Sequence, residues 1–224
     1  MTSCTLTVAS ILVYLTTCLG QTGETGNPWV GLIQIDNVLR AAQVSGSLVY
    51  SSCGFHKTVP DALPPMRFLS DYSGPPKKVL QKMFEGDLRM RVTQEEGGMI
   101  RMVQTDVPTD LLNFKIHHLS FFPSDAAASD AVHGPQMAML AILQNPEVKA
   151  FKKANNIGPF DEGFILPGNC CGGGRVMHGQ LDDITVSQAL DYVLRTFPGF
   201  WVYENCVSPE GERSVYFNFV DVSP

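Results

Sequence analysis

Six cysteines and five histidines are the side chains of this 224-residue chain with the most chemistry to offer. Cys4 and Cys18 fall in an apolar leader, whereas Cys53, Cys170, Cys171 and Cys206 lie beyond it. A structural zinc or a dithiol redox centre needs cysteines a turn apart, as in C-x-x-C, or histidines at set offsets from them. No C-x-x-C occurs, and His56, His117, His118, His133 and His178 do not stand at such offsets, so no metal ligand is assigned. His117 and His118 sit in a stretch that reads as a strand. Neighbouring side chains there point to opposite faces and cannot hold one ion together. Four cysteines in an exported chain suggest two disulfides, for which three pairings exist. A vicinal Cys170–Cys171 bond requires a strained ring. That favours Cys53 joined to one of the pair and Cys206 to the other, each closure contributing about 3–5 kcal/mol in the chain-entropy view.

The search for other chemistry returns little. There is no G-x-S-x-G elbow, P-loop, H-E-x-x-H or dinucleotide fingerprint. The glycines 172–174 could turn backbone amides toward an anion, but a flexible cystine-bearing loop explains them more simply. Asp161-Glu162 and Asp182-Asp183 are adjacent acids. A catalytic dyad must converge in space, and Asp182-Asp183 better fits negative charge near a helix start, worth about 0.3–1 kcal/mol. No catalytic residue and no cofactor is assigned, so the reading leans away from an enzyme. The aromatic string Phe197, Phe200, Trp201, Tyr203 alternates along a strand, with Phe200 and Val202 on one face and Trp201 and Tyr203 on the other. One face must be core. Trp201 and Tyr203 then become the candidate partner-binding anchors, because Trp and Tyr are favoured at interfaces; the competing reading packs them against the rest of the chain.

The elements that must position these residues follow from composition and periodicity. Lys and Arg number 16 against 22 Asp and Glu, a formal net charge of −6; 44% of residues are hydrophobic and 17% charged. That is a globular balance, and it carries neither a nucleic-acid footprint nor a polybasic membrane patch. Residues 1–20 hold no charged side chain and are mostly apolar from Leu6 to Leu19, too short for a comfortable span. With Cys18 and Gly20 at the junction they read as a signal peptide, although no Lys or Arg precedes the apolar core. A lipid anchor on Cys18 and a buried N-terminal element are the competing readings. No later run approaches spanning length. The mature chain is therefore expected in the periplasm or secreted.

Beyond a loose leader at 21–32, helical spacing runs from Ile33 to Ala42 and a strand from Ser47 to Ser51. A β-α-β-β unit follows: strand Met66–Leu69, a Ser73 N-cap, helix Lys77–Phe84, then strands Leu88–Val92 and Met99–Val103. The same order recurs as strand Val176–Leu181, an N-cap within Asp182–Thr185, helix Val186–Thr196, and strands Phe200–Glu204 and Ser214–Val220. Val79-Leu80 and Met83-Phe84 answer Ala189-Leu190 and Val193-Leu194. Between the units lie a strand at 113–122 and a helical stretch at 136–155 broken by Asn145-Pro146. The expected fold class is α+β, built as two similar halves at 33–110 and 111–224.

The second unit resembles the short N-terminal domain shared by secretins and TonB-dependent receptors. The resemblance rests on Gly179-Gln-Leu-Asp-Asp-Ile-Thr-Val-Ser-Gln-Ala-Leu-Asp-Tyr-Val-Leu194, on Phe200-Trp-Val-Tyr203 and on Val215–Phe219. It covers 176–220 well and 65–104 weakly, because Ser73-Gly-Pro-Pro76 replaces the usual capping sequence. It implies a periplasmic location and docking of a protein partner in the cell envelope. The expected function is a non-enzymatic interaction module that adds partners at a sheet edge or helix face. The alternatives are a small-ligand-binding protein, with a pocket between the halves near Cys53 and Cys170–Gly174, or an enzyme with an unrecognised site.

Overall fold

The structure is a computed structural model that describes residues 28–52, 64–121, 134–158 and 175–221. Helix α1 (Pro28–Ala41) buries Leu32, Ile35, Val38 and Leu39 on one stripe. It stops where Gln43 takes a φ of 53° and the Val44 amide returns to Leu39 O at 3.0 Å. Strand β1 (Gly46–Ser51) follows with five consecutive buried residues. A strand buried on both faces reads as a continuous run, not an alternation.

The chain re-enters at Pro64. Met66–Leu69, expected as a strand, is irregular: Phe68 is exposed, and the Arg67 amide is spent on Met83 O, at the end of the next helix. That helix, α2 (Pro76–Met83), has Pro75 at its N-cap and no side-chain cap. Ser73 instead donates its hydroxyl and amide to Asp71 at 2.7 and 2.8 Å, closing a local turn. The helix itself buries Val79, Leu80 and Met83 as expected. Strands β2 (Met90–Gln94) and β3 (Ile100–Gln104) form an antiparallel hairpin.

The second part contains β4 (Lys115–Ser120), α3 (Pro135–Gln144), α4 (Pro146–Ala154), β5 (Gln180–Thr185), α5 (Val186–Thr196), β6 (Gly199–Val207) and β7 (Arg213–Asp221). Asn145-Pro146 does separate two helices, with the Asn145 side chain accepting from the Glu147 amide. Helix α5 begins at a full capping box, Thr185 with Gln188. Strand β5 starts later than expected because Gly179, at φ 136°, turns the chain just before it.

One mixed sheet runs in the order β2-β3-β1-β6-β7, while β4 and β5 pair separately and antiparallel. The class is α+β. The two expected halves, however, are not separate bodies: both hairpins dock on β1, which is parallel to β3 and to β6. The first hairpin meets β1 through its second strand and the second hairpin through its first, so the units differ in order. Their helices also lie on opposite faces of the sheet. Leu48, Tyr50, Phe200 and Val202 pack with α1 and α2, whereas Val49, Trp201, Tyr203 and Phe217 pack with α3 and α5.

Gly46 marks how tightly β1 is held. A Cβ there would stand 2.9 Å from Ile100 O and 3.1 Å from Leu39 Cδ1. Leu39 can shift, but Ile100 O belongs to the paired backbone. Gly46→Ala is expected to lower stability by about 1–3 kcal/mol in urea unfolding. An unchanged midpoint would show that β1 tolerates displacement from β3.

Candidate functional site

Trp201 and Tyr203, expected to offer a docking face, are 1% and 0% exposed. The correction has a simple cause. The sheet is covered on both faces, so neither side of β6 reaches solvent. Trp201 Nε1 donates to Asp191 Oδ1 at 2.8 Å, and the Arg101 guanidinium lies 5.6 Å over its ring. Arg101 forks onto Asp191, bonds Glu95 Oε1 at 2.8 Å and reaches Ser47 Oγ at 3.2 Å. This half-buried group joins β3 to α5 and β6. Tyr203 Oη lies 3.1 Å from Pro108 O, and Arg213 grips Asp110 with two bonds of 2.8 and 2.6 Å. The Asn205 amide, with its oxygen turned inward, accepts from Arg213 Nε at 2.8 Å. Arg213 holds the Asp110 carboxyl below its usual range.

On the opposite face of β6, Glu204 is 1% exposed and accepts from Tyr50 Oη at 3.1 Å. Burial raises its carboxyl to about 8, against the smaller lowering effects of bonds from Tyr50 and Ser52. Burial, then Glu204, pushes the Tyr50 phenol well above its ordinary value. Glu204 Oε1 has no hydrogen-bond partner among the described residues. Beside it, Gln104 accepts from the Ser51 amide at 2.8 Å and donates to Asp87 at 3.3 Å. Two residues beyond Glu204 along β6, Cys206 is 3% exposed. Cys53, Cys170, Cys171, the glycines 172–174, Asp161-Glu162 and the leader with Cys18 lie outside the described residues.

The two histidines do separate, each to its own carboxylate. His117 Nδ1 meets Glu147 Oε2 at 2.6 Å and His118 Nδ1 meets Asp182 Oδ1 at 2.8 Å. Glu147 also accepts the amides of both histidines, and the His117 bond is the main reason its carboxyl is held low. Asp182 and Asp183 therefore serve cross-strand pairs, Asp183 with Lys115 at 3.0 Å, in place of a helix-start charge. Among the described residues no three His, Cys, Asp or Glu side chains converge on a metal position.

What the sequence reading overlooked is the outer edge of β2. Glu95 N bonds Met99 O and Thr105 N bonds Arg89 O, so the odd-numbered residues face β3. Val92 and Gln94 turn their backbone groups outward. Among the described residues, Val92 O receives only a 3.4 Å contact from Gln81 Nε2 on α2. Between α2 and β2 runs a groove of about 460 Å³, lined by Gln81, Phe84, Leu88, Met90, Val92 and Thr93 among others. Leu88 is 98% exposed. The opposite edge is managed differently. At β7, Gly158 N bonds Arg213 O at 2.7 Å and Gln136 Nε2 reaches Phe219 O at 3.4 Å. The signal for an edge was present in Leu88-Arg-Met-Arg-Val92, whose basic residues are of the kind found on exposed strands.

No protein-family model, curated protein or solved structure matches the chain. Among the described residues no helix is long and apolar enough to cross a membrane.

Glu204 sets a pH dependence. A carboxyl whose folded pKa is raised from 4.5 to about 8 contributes stability below its unfolded value, and that contribution is lost as pH rises through about 8. Glu204→Gln is expected to flatten the decline between pH 5 and 9, and to be more stable than wild type at pH 9 by on the order of 2–4 kcal/mol. Parallel pH curves for the two proteins in thermal unfolding would contradict this.

Proposed function

We propose that the chain is an exported, non-enzymatic interaction module of a bacterial cell-envelope assembly, acting in the periplasm or outside the cell. The observation that carries the reading is the open β2 edge beside the α2 groove. Outward backbone groups supply strand-addition bonds, and the groove supplies side-chain pockets. Exposed strand edges are ordinarily blunted, so one flanked by Leu88 at 98% exposure is consistent with a docking surface. The resemblance of 176–220 to the secretin and TonB-receptor short N-terminal domain supports the same reading through the Thr185 cap and the α5-β6-β7 order. The apolar, uncharged residues 1–20 support export. The alternative small-ligand pocket, between the halves near Cys53 and Cys170–Gly174, falls on residues outside the described ones, and the polar groups Tyr203, Asn205, Arg213 and Asp110 are spent on one another.

The cystine framework belongs to this proposal. The Ser52 amide bonds Asn205 O at 3.2 Å. The β1–β6 register sets Ser51 opposite Asn205, so Cys206 falls opposite Ser52, the residue before Cys53 in the chain. That favours a Cys53–Cys206 bond over pairing with Cys170 or Cys171. Non-reducing peptide mapping of the mature chain should recover Cys53 and Cys206 in one crosslinked peptide. Recovery of Cys206 with Cys170 or Cys171 would reject the pairing.

Gln94→Pro tests the docking surface. Proline removes an outward N–H without touching the β2–β3 ladder, so folding should be kept. A photo-crosslinker at position 88 in the native envelope should trap a discrete partner in wild type, and lose most of it in the Gln94→Pro background at unchanged melting temperature. Equal trapping in both would remove the edge from the function.

A further inference from the structure

Charge around the β2 edge says what kind of strand would sit there. The segment 64–94 carries Arg67, Lys77, Lys78, Lys82, Arg89 and Arg91 in a chain whose formal net charge is −6. Its acids are already engaged. Asp87 is buried and bonds Arg89 Nε at 3.2 Å, Asp71 closes the Ser73 turn, and Glu85 lies 3.8 Å from Arg67. Lys77, Lys78 and Arg91 form no ion pair with any described residue. Their placement is directional. Gln81 reaches the outward carbonyl of Val92, and Lys77 and Lys78 stand one helical turn before it on the same side of α2. Arg91 stands within the edge strand itself. Val92 packs with α2, so the groove floored by Phe84, Met90 and Val92 shares one face of the sheet with the Lys77–Lys78 turn, and Arg91 projects from the other face.

We propose that the β2 edge takes up an extended segment of a partner protein in which acidic residues alternate with apolar ones, added as a further strand beside Val92 and Gln94. This deepens the docking reading above and rests on it. The apolar residues of the added strand would fill the groove on the α2 face, beside Leu88 and below Lys77 and Lys78, while its glutamates or aspartates, on the other face, would meet Arg91. A second copy of the chain on the same edge is a separate outcome of the test.

The test uses the mature chain and three peptides long enough to span β2. One alternates valine with glutamate, one alternates valine with lysine, and one is the glutamate peptide N-methylated along one edge. Binding of the glutamate peptide should be at least about 10-fold tighter than that of the lysine peptide, and should weaken several-fold as salt rises past the point where the Debye length falls below about 10 Å. The N-methylated peptide should not bind, and a Lys78→Glu/Arg91→Glu variant should lose or reverse the preference. Equal binding of the glutamate and lysine peptides would overturn the acidic partner while leaving the edge as a docking site. Failure of every peptide, with the native crosslink at position 88 still formed, would overturn the strand chemistry alone. Failure of both would overturn the docking reading as well. Concentration-dependent dimers of the chain abolished by Gln94→Pro would replace the proposed partner with a second copy.

Discussion

Strand β1 is the constraint on which the architecture turns. It is six residues long, is covered on both faces and has both its edges paired, to β3 on one side and β6 on the other. A parallel neighbour cannot be reached by a tight turn, so each pairing needs a crossover that carries the chain over a face of the sheet. The route from β1 to β3 contains α2, and the route from β3 to β6 contains α3, α4 and α5. Those routes place α2 on one face and α3 and α5 on the other, and thereby produce two apolar cores from one sheet. Remove β1 and no backbone pairing joins the two hairpins.

Polar groups close the joints that β1 opens. Arg101 on β3 and Asp191 on α5 come from parts of the chain 90 residues apart, and the Trp201 indole completes the set. The side chains are 16% and 18% exposed, an environment in which a forked guanidinium–carboxylate pair is worth more than an exposed one yet avoids the full cost of burial. Glu204 is the contrary case. It stands among buried residues with one oxygen bonded and the other not, and its carboxyl is held near neutrality as a result. A protonated glutamate on a central strand is tolerable because its neutral form no longer carries the desolvation cost of a charge. The same carboxyl becomes a liability in alkaline solution.

Local signals made much of the fold legible in advance. Asn145-Pro146 announces a helix break, Thr185 with Gln188 announces a helix start, and alternation in Val215, Phe217 and Phe219 announces a strand. Each is a nearest-neighbour effect. Partner choice between strands is not. Nothing in Ser47–Ser51 tells whether it will sit at an edge or at the centre, so each hairpin reads as part of a half of its own. Trp201 and Tyr203 read as a docking face for the same reason: a strand with two apolar faces gives no hint of which one is covered until the second layer is known. Met66–Leu69 shows the limit at short range. Its apolar residues suit a strand, but a strand needs a partner, and the Arg67 amide finds a helix carbonyl at 2.6 Å first.

The two ends of the sheet show why the site was hard to see and why it is worth singling out. Strand β7 and strand β2 are both edges, and both contain arginine, so composition does not tell them apart. At β7 the arginine is used inward: Arg213 grips Asp110, and its own carbonyl accepts from Gly158. Ile157 adds a parallel bridge there, so the edge is occupied by the chain itself. At β2, among the described residues, Arg91 forms no ion pair and the outward carbonyl of Val92 has only the long contact from Gln81. A strand edge without a neighbouring strand exposes backbone groups whose hydrogen bonds water must supply. A partner strand added there, as proposed, would supply the same bonds while also removing Leu88 and the groove beside it from water. The free energy for such docking would come mainly from the apolar part of the groove, with the backbone bonds setting register and the surrounding charges choosing among strands that would otherwise fit equally well.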